Sequence, residues 1–286
     1  MLAASPMVDS SFLLTHAGRL MAPPIPLFLF ALLFFFGMLV ALELGHRYAV
    51  RRTAIEDKDK VSLATIETSV FALFGLLIAF TFSGAAARFQ EKRMLIAEEA
   101  NAIQTAYRNI DLVAPPARAK LRGLFRQYVD SRLELYHLLP DVKAAEPAAA
   151  KVKQLQSTIW SASIAASRLP SDDPAEAQML IPAIDQLLRV STTRTMALQN
   201  HPPGAVYGLL FVLGTLCSLL VGFRMPVRSW LHILSFTLVT ASVVYLSLDI
   251  EYPRVGLIRL DQADKTLREI RESMDRPATP PSSVTR

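Results

Sequence analysis

Charge is missing from four long stretches of this 286-residue chain: Leu20–Leu42, Thr68–Ala87, Pro202–Phe223 and Ser229–Leu248 contain no Asp, Glu, Lys or Arg. Each is long enough to cross a bilayer as a helix, which takes about 20 apolar residues. Cysteine is nearly missing as well. The single Cys217, inside the third stretch, excludes an intrachain disulfide and a cysteine metal cluster, and reads as a small packing residue. The five histidines, His16, His46, His137, His201 and His232, are scattered over different segments, so no metal constellation is expected. There is no phosphate-cradling Gly-rich loop, no HExxH and no nucleophile elbow. Bond-making chemistry therefore has no visible carrier: the chain reads as a non-enzyme with no cofactor. A basic stripe interleaved with aromatics is lacking too. Between Arg88 and His201 there are 15 Lys/Arg against 12 Asp/Glu, which argues against a nucleic-acid partner.

What is present is hydrophobic, 52% of residues, and concentrated in the four stretches. Inside lipid every backbone polar group must be paired within the chain, so the stretches read as helices. They form two pairs around one polar insert. The expected fold is an all-α integral membrane protein with four transmembrane helices in two pairs and a helical, water-facing module between them. The boundaries read as follows: an N-terminal segment 1–19, with a short interfacial helix over 7–20; a first transmembrane pair 20–87 with a linker at 47–61; a helical module 88–201; a second pair 202–250; a post-membrane tail 251–276; and a Pro/Ser/Thr-rich end 277–286. Ala22-Pro23-Pro24-Ile25-Pro26 marks a rigid entry to the first span.

The second span has two faces. Gly75, Ala79, Ser83 and Ala87 recur every four residues, a spacing that lets helix backbones approach closely in lipid. Phe71, Phe74, Ile78 and Phe82 form a bulky stripe, with the Thr81 hydroxyl nearby. No proline lies between Ser62 and Val113, so the span is expected to run unbroken into the module. There Ile96, Ile103, Tyr107 and Ile110 fall at helical spacing. A second module helix, Ala117–Leu139, carries Leu121, Phe125, Tyr128, Leu135 and Leu139 on one face. Pro140 and Pro147 are expected to bracket a loop before a third helix over Ala148–Arg168. Asp173-Pro174 reads as a capped start of a fourth, kinked at Pro182.

Ionisable groups cluster at span ends, where they anchor helices or serve function. They include Glu43, Glu67, His232, Asp249 and Glu251, with Arg88 and Arg93 at the polar end of the second span. Two blocks then stand out. One runs from Gly75 to Ser83 and through Arg88 to Glu98-Glu99-Ala100-Asn101. The other is Asp249-Ile250-Glu251-Tyr252-Pro253-Arg254-Val255-Gly256. In this order, around a helical insert, they resemble the bacterial bestrophin-like domain family. The resemblance implies a subunit of an oligomeric anion channel with four spans and a helical cytosolic part. It does not carry over calcium gating, because the acidic run of the calcium clasp is missing.

Two functions follow as expectations. The first is a homo-oligomeric anion channel lined by the second span, with Phe71, Phe74, Ile78, Thr81, Phe82 and Ser83 toward the lumen. Gly75, Ala79, Ser83 and Ala87 would then pack against neighbouring subunits, with Arg88 and Arg93 at the mouth. The alternative is a non-conducting scaffold or signalling protein in the bacterial inner membrane whose module, 88–201, binds a protein partner. Glu98, Glu99, Asn101, Asp249, Glu251, Pro253, Arg254 and Gly256 are the polar residues of the family blocks. Cations near the spans number seven on the linker side and nine on the other; long domains count for less, and the first span alone favours a cytoplasmic linker. The basic tail and the resemblance favour a cytoplasmic module. A reporter fused after Arg276 is accordingly expected to be active when it requires the cytoplasm and silent when it requires the periplasm.

Overall fold

The computed structural model describes residues 27–51, 57–138, 142–170, 173–225, 227–252, 257–258 and 261–276. In chain order the helices are α1 (Leu27–Arg51), α2 (Asp57–Asn109), α3 (Pro115–Leu138), α4 (Val142–Ala166), α5 (Pro174–Gln178), α6 (Leu180–Gln199), α7 (Gly204–Arg224), α8 (Trp230–Glu251) and α9 (Asp261–Ser273). A 3-10 turn, Ile110–Leu112, closes α2. Among the described residues there is no strand. Four helical stretches are long and apolar enough to cross a membrane: Leu27–Arg51, Ala64–Leu112, Gly204–Arg224 and Trp230–Glu251. The all-α architecture with four spans and a helical insert is thus the observed one. The interfacial helix, the proline-rich entry, Leu139, Pro140 and the 277–286 end lie outside the described residues.

The chain divides into two compact units. The membrane unit is built from residues 22–90 and 200–259. Within it α1 packs most extensively on α7, and next on α8. Small residues allow this. Ala41 and Gly45 of α1, and Gly214, Ser218 and Gly222 of α7, are all buried. A Cβ placed on Gly222 would overlap the backbone carbonyl of Leu42, and one on Gly45 would overlap that of Leu219. The backbones therefore touch, and helices in lipid gain most from such close van der Waals contact. Ser218 adds no unpaired polar group, since its hydroxyl donates to the Gly214 carbonyl at 2.9 Å. Around this contact Phe34, Met38, Phe74, Leu210, Cys217 and Val244 make the unit's core.

The second unit holds residues 91–199 and the C-terminal helix α9. Its core joins Ile103 and Ile110, Leu121, Phe125 and Tyr128 of α3, Val152 and Ile159 of α4, and Leu180, Ile184 and Leu187 of α6. Leu267, Ile270 and Met274 complete it from the tail. These three stand at i, i+3 and i+7, one face of a helix. Arg126 Nη2 and Tyr107 Oη donate to the Met274 carbonyl, at 2.7 and 3.2 Å, and hold the tail's end.

Several boundaries differ from expectation for identifiable reasons. Helices extend into the charged linker, α1 to Arg51 and α2 from Asp57. Charged straight-chain residues are good helix formers once the chain has left the apolar layer. Pro115 and Pro116 start α3 instead of only separating helices, as proline is tolerated in a first turn. Pro147 lies inside α4, not at a loop edge. Near a helix start it forfeits only one backbone bond, and the buried Ala145, Ala148 and Val152 hold the segment in place. The kink expected at Pro182 is realised upstream, as a break at Met179 between α5 and α6. Asp173 caps α5 as expected, its Oδ1 accepting from Ala175 N at 2.8 Å and Glu176 N at 3.2 Å.

The Gly222 contact yields a test. Gly222→Ala should destabilise the detergent-solubilised protein by about 1–3 kcal/mol, the cost of overpacking against rigid backbone. Gly208→Ala on the same helix should be neutral or mildly stabilising, because nothing lies within 4 Å of its Cβ position. Thermal melts of the two variants check this.

Candidate functional site

The second span turns its faces unequally within the protomer. Phe74 is only 4% exposed and lies in the core with Phe34 and Met38. Phe71, whose ring is edge-on to Phe236 at 6.4 Å, and Ile78 are partly buried against the same core. Phe82 is partly buried as well. Thr81 is buried, its hydroxyl donating to the Leu77 carbonyl at 2.6 Å. The other face is open. Gly75, Ala79, Ser83 and Ala87 are all exposed, and so are the neighbouring Leu73, Leu76 and Phe80. Phe71 and Phe74 thus turn toward the chain's own core, while the small-residue stripe, with Phe80 beside it, stays uncovered within the chain.

At the end of this span Arg88 meets Glu251, the last residue of α8. Arg88 Nε lies 2.9 Å from Glu251 Oε2 and 3.1 Å from Oε1, and Nη2 lies 2.7 Å from Oε2. Glu251 is fully buried and Arg88 half-buried. A buried carboxylate demands such pairing, and a two-point guanidinium contact is the strongest a side chain offers. His201 Nδ1 lies 3.0 Å from Glu251 Oε1, so its Nδ1–H tautomer or the imidazolium donates to the same carboxylate. The imidazole stacks on Tyr252, centroids 4.7 Å apart. Asp249, two residues earlier, is also buried. Its Oδ1 accepts from Leu257 N at 2.8 Å and its Oδ2 from Ile258 N at 2.9 Å, tying the chain beyond the span back to the helix. Pro253, Arg254 and Gly256 fall outside the described residues.

The other acidic block divides sharply. Glu98, Asn101 and Arg93 are exposed. Glu99 is fully buried and forms ion pairs with Arg132 of α3 and Arg194 of α6, each only 3% exposed. Tyr136 Oη donates to Glu99 Oε2 at 3.0 Å. The Arg194 guanidinium lies 4.0 Å and that of Arg132 4.9 Å from the Tyr136 ring centroid. Burial opposes ionisation of Glu99, but two guanidiniums and a phenol donor outweigh it and hold the carboxyl below its ordinary range. Burial likewise pushes the Tyr136 hydroxyl above its usual value, so it stays a neutral donor. This is a permanent ionic staple joining three helices, with no group poised to exchange a proton near neutrality. The partners Arg132, Tyr136, Arg194 and His201 escape sequence reading. The available signal is weak: a basic or aromatic residue at a core position of an otherwise apolar helical face.

At the linker end Glu43 pairs with Arg47, at 2.6 Å, and with Arg228. Glu67 is buried and pairs with Arg224 at 2.9 Å. His46 Nδ1 lies 2.9 Å from the Met225 carbonyl, and His232 Nδ1 lies 2.6 Å from Ser229 Oγ. Among the described residues no group of three His, Cys, Asp or Glu side chains is placed to hold a metal ion.

The two blocks therefore contribute three buried carboxylates, Glu99, Asp249 and Glu251, on a four-span helical chain. The model of the Bestrophin-like domain matches residues 27–264. The chain belongs to the Bestrophin-like domain family. Its fold is similar to the crystal structure of a point mutant of a bacterial bestrophin homolog from Klebsiella pneumoniae. The two are 14% identical with a TM-score of 0.63, and the match covers 87% of this chain and 99% of that one. No curated protein matches this Bestrophin-like chain in sequence.

The staple has a measurable consequence. Glu99→Ala leaves two buried guanidiniums without their carboxylate and should cost about 3–5 kcal/mol. Because the folded-state pKa of Glu99 is lowered, its contribution is present above the ordinary glutamate pKa. It is lost as pH falls through the lower, folded value. Thermal stability of the wild type should thus drop on acidification below about pH 4, and Glu99→Gln should flatten that part of the profile.

Proposed function

We propose that this Bestrophin-like protein is a homo-oligomeric anion channel of the bacterial inner membrane, lined by the second span, α2. The observation that carries the reading is how little of α2 the protomer covers. Of its apolar window 17% is buried, against 28%, 33% and 44% for the other three spans. A helix this open has surface to give to neighbouring copies and to a lumen. Four spans without broken half-helices among the described residues favour a channel over a transporter.

Burial refines which side chains meet the ion path. Phe74 and Thr81 are spent inside the protomer, so the reading gives the path to the exposed face. Leu76 and Phe80 supply a hydrophobic constriction that gates by dewetting. Gly75, Ala79, Ser83 and Ala87 allow close subunit approach and a hydroxyl toward the path. Phe71, Ile78 and Phe82 flank it from the half-buried side. Arg88 is largely neutralised by Glu251, so the exposed Arg93 is the stronger mouth charge and raises local anion concentration through its field.

Iodide influx into liposomes loaded with purified protein tests the proposal. Flux well above empty liposomes is expected, several-fold higher in Phe80→Ala and lower in Arg93→Glu. Flux indistinguishable from empty liposomes across pH and voltage would overturn the channel reading and favour a membrane scaffold whose helical module binds a protein partner.

A further inference from the structure

We infer that the membrane unit carries a binding site for a phospholipid with an ethanolamine headgroup, set between α2 and α7 at the linker end. The inference is independent of conduction. A cavity of about 310 Å³ opens there, at the small end of the size range of ligand sites, enough for a headgroup and the first part of an acyl chain. Phe71, Leu220 and Val221 give it apolar walls, and Glu67, Thr68 and Arg224 give it a polar end.

The polar end selects the headgroup. Glu67 is 5% exposed, so its carboxylate requires a cationic partner. Arg224 supplies one, its Nε 2.9 Å from Oε2, and the Arg224 side chain remains 54% exposed. A guanidinium has five N–H donors and a carboxylate about four acceptor sites, so this contact leaves capacity on both groups among the described residues. A phosphate can take the free guanidinium N–H groups while an ammonium on the same headgroup donates to Glu67. One molecule then satisfies both halves of the pair. The buried Glu67 carboxylate argues against a purely anionic headgroup, which would bring it negative charge and no donor. Arg228 and Arg47 share the one carboxylate of Glu43. Choline fits less well, because a quaternary ammonium has no N–H to give to a buried carboxylate. Thr68 adds no competing donor, since its hydroxyl donates to the Ala64 carbonyl at 2.8 Å.

The test is thermal stability and native mass spectrometry of the detergent-solubilised full chain, titrated with short-chain phosphatidylethanolamine, phosphatidylcholine or phosphatidylglycerol, or with O-phosphoethanolamine alone. Phosphatidylethanolamine should bind about tenfold more tightly than phosphatidylcholine, the equivalent of one good charge-assisted hydrogen bond. Glu67→Gln should erase that preference while leaving phosphatidylcholine binding in place. Arg224→Gln should weaken both, and Leu220→Trp, which fills the apolar part, should block both without touching the ion pair. Equal affinity for the two zwitterionic lipids would overturn the proposal, as would a preference surviving Glu67→Gln. Stronger binding of phosphatidylglycerol would reduce the site to a basic patch. An equal effect of O-phosphoethanolamine would make the ligand a soluble one. No lipid dependence, with the cavity covered by a second copy of the chain, would also overturn it.

Discussion

The contact on which the membrane unit depends is backbone against backbone. Gly222 of α7 meets the Leu42 carbonyl of α1, and Gly45 of α1 meets that of Leu219. Lipid offers no hydrophobic drive between apolar helices, so association rests on how closely their surfaces approach. With α1 and α7 drawn together here, Phe34, Met38, Leu210 and Cys217 meet in one core, and Phe74 enters it from α2. Phe74 is thereby used up within the chain, and the face of α2 that carries the small residues is the one left open. Gly204–Arg224 thus organises the unit through the close approach of its backbone.

Buried charge is the second constraint. Removing a carboxylate from water is costly unless cations and donors replace the lost solvation. The chain meets that cost twice. Glu251 receives two points of contact from Arg88 and one from His201, and Glu99 receives two guanidiniums and a phenol. Each arrangement ties segments far apart in the chain: 163 residues separate Arg88 from Glu251, and 95 separate Glu99 from Arg194. Such pairs specify which helices meet more than they add to net stability. That suits residues in the two blocks through which the family is recognised.

The spans and the helical insert were legible because both rest on local rules. Charge-free length predicts a span, a missing proline predicts an unbroken α2, and 3.6-residue spacing predicts that Ile103, Ile110, Leu121, Phe125 and Tyr128 are core. Asp173-Pro174 was legible for the same reason, since a cap is satisfied within four residues. The tail was harder. Leu267, Ile270 and Met274 have helical spacing, yet only a module to pack against makes them core. Pro147 misled because proline's local preference was outweighed by the burial of Ala145, Ala148 and Val152 around it.

By itself the sequence determined the class of the molecule: four apolar helices, no strands among the described residues, and a helical water-facing insert. Local physics suffices for that, because lipid demands that every backbone polar group be paired, and an unbroken apolar run of about 20 residues meets the demand as a helix. The tertiary structure alone decided which face of α2 turns inward and which partner each charge takes. Glu98 and Glu99 are adjacent acidic residues with nothing local to separate them, yet one is solvated and the other is enclosed by Arg132, Tyr136 and Arg194. Periodicity shows that a helix has two unlike faces. Only the helices packed around it determine what each face meets.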